Sequence, residues 1–243
     1  MNNETIGISA EVAIANSFNV KVSNEYKLRS DETVVSLLKD DIIDIFNREN
    51  IPNTVKHVAE KQNPVDFILK DKTTLSVKTN KQALKKVAPQ IIGQPTSNTY
   101  FEYFKNILGI KYIPNNYNEK VAMFKAVSIE RLDEVMPHYW NRLFECEHLI
   151  YFYNIIDKKG KIKNNYKYLY IQRPSYVPIW DKEKFYFTKN IKNWNESCTV
   201  KYYSSNLKKY ISLGEFQVHN NRDCLKFRFN MKGVLKLIKL NFI

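Results

Sequence analysis

Cysteine, glycine and proline are all scarce in this chain. Three cysteines, Cys146, Cys198 and Cys224, stand far apart among 243 residues. An odd number at wide spacing excludes a disulfide framework and a clustered zinc site, and fits a reduced, cytoplasmic protein. Six glycines and eight prolines leave little room for long flexible linkers. There is no internal repeat and no low-complexity tract. No apolar run approaches the roughly 18 residues of a membrane span, so no membrane partner is expected. The opening MNNETIGISAEVAIA has no basic leader and contains Glu4 and Glu11, which argues against a signal peptide. The four histidines show no metal-ligand spacing, and His57, His138 and His148 read as structural. No P-loop, Rossmann glycine pattern or serine-nucleophile motif appears.

Basic charge, in contrast, is abundant and unevenly placed. The net charge is +13. Residues 158–243 hold 19 Lys and Arg against 5 Asp and Glu, whereas residues 1–157 hold 19 against 20. The same C-terminal stretch is rich in aromatics, among them Tyr166, Tyr168, Tyr170, Trp180, Tyr202 and Tyr210. A basic, aromatic surface suits a polyanion with stackable bases. The excess falls in strand-like segments and not on one amphipathic helix, which favours nucleic acid over an anionic membrane.

The hydrophobic pattern divides the chain into an α/β part and a β-rich part. Helices are expected at 5–18, from Ser30 or Asp31 to just before Pro52, at about 98–108 and at 128–145. Strands are expected at 54–59, 65–70 and 74–79. After residue 148 come β-like runs: HLIYFYNII, YKYLYIQ, KFYFT, CTVKYY, YISLGEFQVH and CLKFRF. The expected fold is α/β, with a core over residues 1–147 and a β-rich basic lobe over 148–243, joined in one compact body.

The paired strands around residue 70 carry the chemistry. Alternation puts Val65, Phe67 and Leu69 on one face of the first strand, and Leu75 and Val77 on one face of the second. Asp66, Ser76 and Lys78 then share the opposite face. A three-residue loop at 71–73 keeps the faces clean and sets Asp66 opposite Lys78. A carboxylate beside an ammonium suits phosphodiester hydrolysis. Asp66 can hold Mg²⁺ through oxygen, and Lys78 can orient or deprotonate a water or stabilise charge on phosphorus. The same pair also fits a plain cross-strand salt bridge.

Pro64-Val65-Asp66 followed by Ser76-Val77-Lys78 resembles the motif of the PD-(D/E)xK nucleases, which lies on such a hairpin after an N-terminal helix. The resemblance covers roughly residues 5–108. It implies a restriction-endonuclease-like mixed sheet flanked by helices, with a β-rich C-terminal DNA-binding lobe. The activity implied is Mg²⁺-dependent hydrolysis of double-stranded DNA, and the size and appended lobe look like a Type II restriction endonuclease. Ser76 stands where the family's second acidic residue is expected. A carboxylate from a nearby helix is therefore required, with Glu11 first, then Glu102 and Glu60. Glu11 is a lone charge in the small-residue stretch Ser9–Ala13, which suits close packing of helix on sheet. One site per chain and two strands to cut imply a homodimer.

Two segments offer groups for DNA. After Lys78 come Lys81, Gln82, Lys85, Lys86, Gln90 and Gln94. In the C-terminal lobe, a hairpin around 214–223 offers Gln217, His219, Asn220 and Arg222, with Lys226 and Arg228 on its outgoing strand. Arg222 can pair with guanine and Gln217 or Asn220 with adenine, while Lys226 and Arg228 suit phosphates. Two other readings remain open: a nuclease for repair, junction resolution or RNA, and a nucleic-acid-binding protein without catalysis.

Overall fold

The computed structural model describes residues 1–59, 63–157, 159–194, 196–219 and 221–239. Glu60 and Asn220 therefore lie outside the described residues. The fold is mixed α/β, with seven α-helices and two five-stranded sheets among the described residues. It divides into two compact units, 1–84 with 144–173, and 85–143 with 174–243. This differs from the expected split at 147/148, and the sheet topology gives the reason.

In the first unit the helices are α1 (Asn3–Ser17), α2 (Asn24–Leu28) and α3 (Glu32–Arg48). The strands are β1 (Thr54–His57), β2 (Phe67–Leu69), β3 (Thr74–Asn80), β5 (His148–Tyr153) and β6 (Lys167–Gln172), ordered β1-β2-β3-β5-β6. All neighbours are antiparallel except β3 and β5, which are parallel. Parallel neighbours need a long crossover. Here the connection includes residues 85–143, which belong to the second unit, so each unit is assembled from separate stretches of chain.

Local chemistry explains these elements. Asp31 caps α3 by accepting from the Thr33 and Val34 N–H groups, both at 3.1 Å. Ser9 Oγ on α1 accepts from Asp31 N–H at 2.8 Å, tying the two helices together. Ile6, Ile8, Ala10, Val12, Ala13 and Ile14 of α1 join Val34, Leu38 and Ile42 of α3 and Phe67, Leu75 and Val77 of the sheet in one core. Gly7 lies close to β3: a Cβ there would stand 3.5 Å from Thr79 Oγ1.

The register of the β2–β3 hairpin differs from the expected one. Phe67 pairs with Leu75 and Ile68 with Thr74, so Asp66 is level with Ser76 and not with Lys78. The loop is residues 70–72, closed by Leu69 N–H to Thr73 O at 2.8 Å. Asp71 Oδ1 accepts from Thr73 N–H at 3.0 Å, and Lys72 takes the left-handed φ of 73° that glycine usually fills. Moving the loop back by one residue shifts the register by two. The parity of the faces survives, and Asp66, Ser76 and Lys78 stay on one side.

The second unit contains β4 (Lys86–Val87), α4 (Ser97–Phe104), α5 (Tyr117–Glu130), α6 (Leu132–Leu143), β7 (Phe185–Phe187), β8 (Ser197–Ser204), β9 (Lys209–Val218), β10 (Leu225–Asn230) and α7 (Met231–Lys239). Its sheet is antiparallel throughout, ordered β4-β10-β9-β8-β7. One face is aromatic: Phe216 and Phe227 pack with Tyr139, and Phe216 also meets Phe124. The helix expected at 128–145 is two helices, α5 and α6, with a break at Arg131. Of the β-like runs after 148, the first two form β5 and β6 of the first unit.

Candidate active site

Asp66 immediately precedes β2 and is fixed from both sides. Its N–H donates to Leu75 O and its carbonyl accepts from Val58 N–H, both at 2.9 Å. Its Oδ2 accepts from Ser76 Oγ at 3.1 Å and from Val77 N–H at 2.5 Å. Ser76 thus orients the acidic residue beside it. Lys78 lies two residues further along the same face of β3 and is half-buried. Among the described residues no hydrogen bond or ion pair engages its ammonium.

Glu11 arrives from α1, whose small side chains let it lie against β3. It is 7% exposed. Its Oε2 accepts from the Tyr26 hydroxyl at 2.5 Å and lies 3.0 Å from His57 Nε2. The His57 ring stands edge-on to Tyr26 and Phe67, with centroids 4.8 and 5.1 Å apart. Both anchors use the same oxygen. Glu11 Oε1 and Asp66 Oδ1 take no hydrogen bond among the described residues.

The electrostatics mark this as a strained cluster of charge. Burial pushes the Asp66 carboxyl up from 3.8 to about 6; Lys78 pulls it down, Glu11 pushes it up, and the Val77 and Ser76 hydrogen bonds pull it down. Burial, then Glu11, raises the Tyr26 hydroxyl well above its usual range, so it remains a proton donor. Cys146 is also close, but burial pushes its thiol up to about 11, which makes it a poor nucleophile.

The donor set fits a hard cation. Two carboxylates, each with one oxygen outside the hydrogen-bond network, match the way Mg²⁺ uses one or two carboxylates and keeps several waters. No group of three or more His, Cys, Asp and Glu side chains among the described residues is arranged to hold a metal. His57 stands against Glu11, its Nε2 3.0 Å from Oε2.

The other candidates are distributed as follows. Glu102 is on α4 of the second unit, 61% exposed at its side chain and paired with Lys105 at 2.5 Å. Lys81 is half-buried at the end of β3, and the exposed Gln82 donates its N–H to Asn80 Oδ1 at 3.2 Å. Gln90 N–H donates to Arg142 O at 3.1 Å, and Gln94 is exposed. Arg222 is exposed and meets His219 Nε2 at 2.9 Å. Arg228 donates to Glu215 at 2.7 Å and Gln217 Oε1 at 3.1 Å, while Lys86 pairs with the other Glu215 oxygen. Lys226 is only 7% exposed. Tyr26 and His57 were not among the sequence candidates, and no spacing signal points to them; only the fold brings them to Glu11.

The sequence is similar to that of a Type II restriction enzyme. That relative is CviAII of Paramecium bursaria Chlorella virus 1, 31% identical over 177 residues, which make up 73% of this chain and 45% of the relative. The match thus spans less than half of that protein's length. No family model matches the chain, and no solved structure matches it.

Proposed function

We propose that this chain is a Type II restriction endonuclease of the PD-(D/E)xK kind, hydrolysing phosphodiester bonds of double-stranded DNA at a short specific sequence with Mg²⁺. The observation that carries the reading is the meeting of Asp66, Glu11 and Lys78 around one face of the first sheet. Similarity to a Type II restriction enzyme points the same way.

Asp66 and Glu11 are the residues that would hold Mg²⁺, which supplies Lewis-acid activation of the scissile phosphate. The chain's own groups do the rest. Ser76 and the Val77 N–H hold one oxygen of Asp66. Tyr26 and His57 hold one oxygen of Glu11 and keep α1's carboxylate aimed at the site. The unengaged Lys78 ammonium orients the attacking water and stabilises charge on the phosphate. Cutting both strands with one such site per chain calls for a symmetric homodimer.

The test is a digest of a long phage DNA with the chain and Mg²⁺. Discrete fragments, absent with EDTA and absent with Asp66→Ala, are expected. A smear, or cleavage that survives Asp66→Ala, would overturn the reading.

A further inference from the structure

From Lys85 onward, the first sequence segment that offered groups for DNA meets the second one within the second unit. β4 pairs with β10 through Val87–Phe229 and Lys86–Asn230. The chain then returns to the same strand: Phe227 N–H donates to Gly93 O at 3.0 Å and Leu225 N–H to Pro95 O at 3.1 Å. These two bonds bracket Gln94 and bring its backbone alongside Lys226. On the other side of β10, Lys226 pairs with Gln217 of β9. Residues directly opposite in a ladder project to the same side. Lys226 and Gln217 therefore project to one side of β10 and β9, on the face opposite the aromatic core, and Gln94 lies in the irregular segment that runs beside Lys226.

The chemistry of this group is specific. Lys226 is 7% exposed, and among the described residues no hydrogen bond or ion pair satisfies its ammonium. The lateral neighbours of Lys226 are two neutral amides. Gln94 is exposed and its side chain makes no hydrogen bond among the described residues. Gln217 gives its Oε1 to Arg228, which leaves its NH₂ available. Nearby on β9, Glu215 is neutralised by Arg228 and Lys86, so it adds no net repulsion toward an anion. Lys226 and Gln217, at interstrand spacing, stand roughly 5 Å apart, within reach of neighbouring base pairs at roughly 3.4 Å per step.

We propose that Lys226, flanked by Gln94 and Gln217, reads the edges of consecutive base pairs in double-stranded DNA. This rests on the nuclease reading above and assigns its recognition surface. It also changes the role expected of Lys226 from phosphate contact to base contact. Lysine suits guanine O6 and N7, and glutamine suits adenine.

The experiment is metal-free equilibrium binding in EDTA, by fluorescence anisotropy at several salt concentrations. The probes are duplexes that the wild-type chain selects from a pool with a randomised centre, and the unselected pool. Lys226→Met keeps the apolar stem and removes the charge. It should lose roughly 5- to 150-fold of the preference for selected duplexes. Affinity for the unselected pool and the slope against salt should stay near wild type. Gln94→Ala, at an exposed position where folding is not at stake, should relax preference at a neighbouring base pair. A uniform loss on both probes with a shallower salt slope would make Lys226 a phosphate contact and overturn the inference. Selective binding by wild type with unchanged preference in both variants would overturn it while leaving the nuclease reading intact. Absence of any selective duplex binding by wild type would overturn both.

Discussion

At Asp66, charge and burial are in conflict. Its carboxyl is raised from 3.8 to about 6, chiefly by burial and further by Glu11. Between those values the folded chain binds more protons at this position than the unfolded one, so stability falls as pH rises through the window. Above about pH 6 the group is ionised against the cost of its burial, and a neutral isostere would not bear that cost. Asp66→Asn should therefore melt a few degrees higher than wild type at pH 7.5 in EDTA, and equally near pH 3.5, while losing cleavage. Thermal melts at the two pH values check this, and equal melts at both would remove the argument for strain. Lys78→Ala removes a half-buried ammonium whose charge holds the buried Asp66 carboxyl down. It should lower turnover by about 10²- to 10⁴-fold and, with that charge gone from beside Asp66, lower the melt at pH 7.5. Tyr26→Phe deletes one of two donors to Glu11 Oε2 and leaves its charge in place. Its main effect should be a rise in the Mg²⁺ concentration needed for half-maximal cleavage, with turnover at saturating Mg²⁺ nearer wild type. A loss of turnover with no change in that Mg²⁺ requirement would assign Tyr26 a different role.

The β2–β3 hairpin shows what alternation can and cannot specify at the scale of an element. Side-chain parity was legible, because Phe67, Leu69, Leu75 and Val77 make one face apolar and leave the polar side chains to the other. The loop position was not, because it turns on Lys72 accepting a left-handed conformation and on Asp71 bonding to Thr73. That conformation costs a non-glycine residue about 1–2 kcal/mol, partly offset by glycine's greater entropy loss. Lys72→Gly should thus raise stability by up to about 1 kcal/mol in urea unfolding, with cleavage unchanged; a decrease would mean the loop adopts another turn. The α1 and α3 stripes and the Asp31 cap were readable for similar reasons. Helix α7 was not anticipated, because it follows β10 directly at Asn230–Met231 with no breaker between them. The start of α5, capped by Asn116, was missed as well. Glu11, Asp66 and Lys78 stood out as charges in apolar or small-residue settings. Tyr26 belongs to a five-residue helix with no buried residues, and His57 is a lone histidine, so neither carries a local signature.

For the whole molecule, the proposal makes assembly a direct consequence of cutting two strands with one site per chain. Sedimentation on a duplex bearing a selected sequence should show two chains per duplex. A single chain per duplex that still cuts both strands would count against the homodimer. The discontinuous units have a further consequence for how such a chain can change. The backbone passes from one unit to the other at 84/85, 143/144 and 173/174. One crossover in a recombination event cannot exchange either unit whole. A hybrid that kept one unit and took the other from a relative would need three coordinated joints. On the proposed reading, new sequence preference in this architecture would be reached by point substitutions within the second unit, such as along its β9–β10 strands, more readily than by shuffling whole modules.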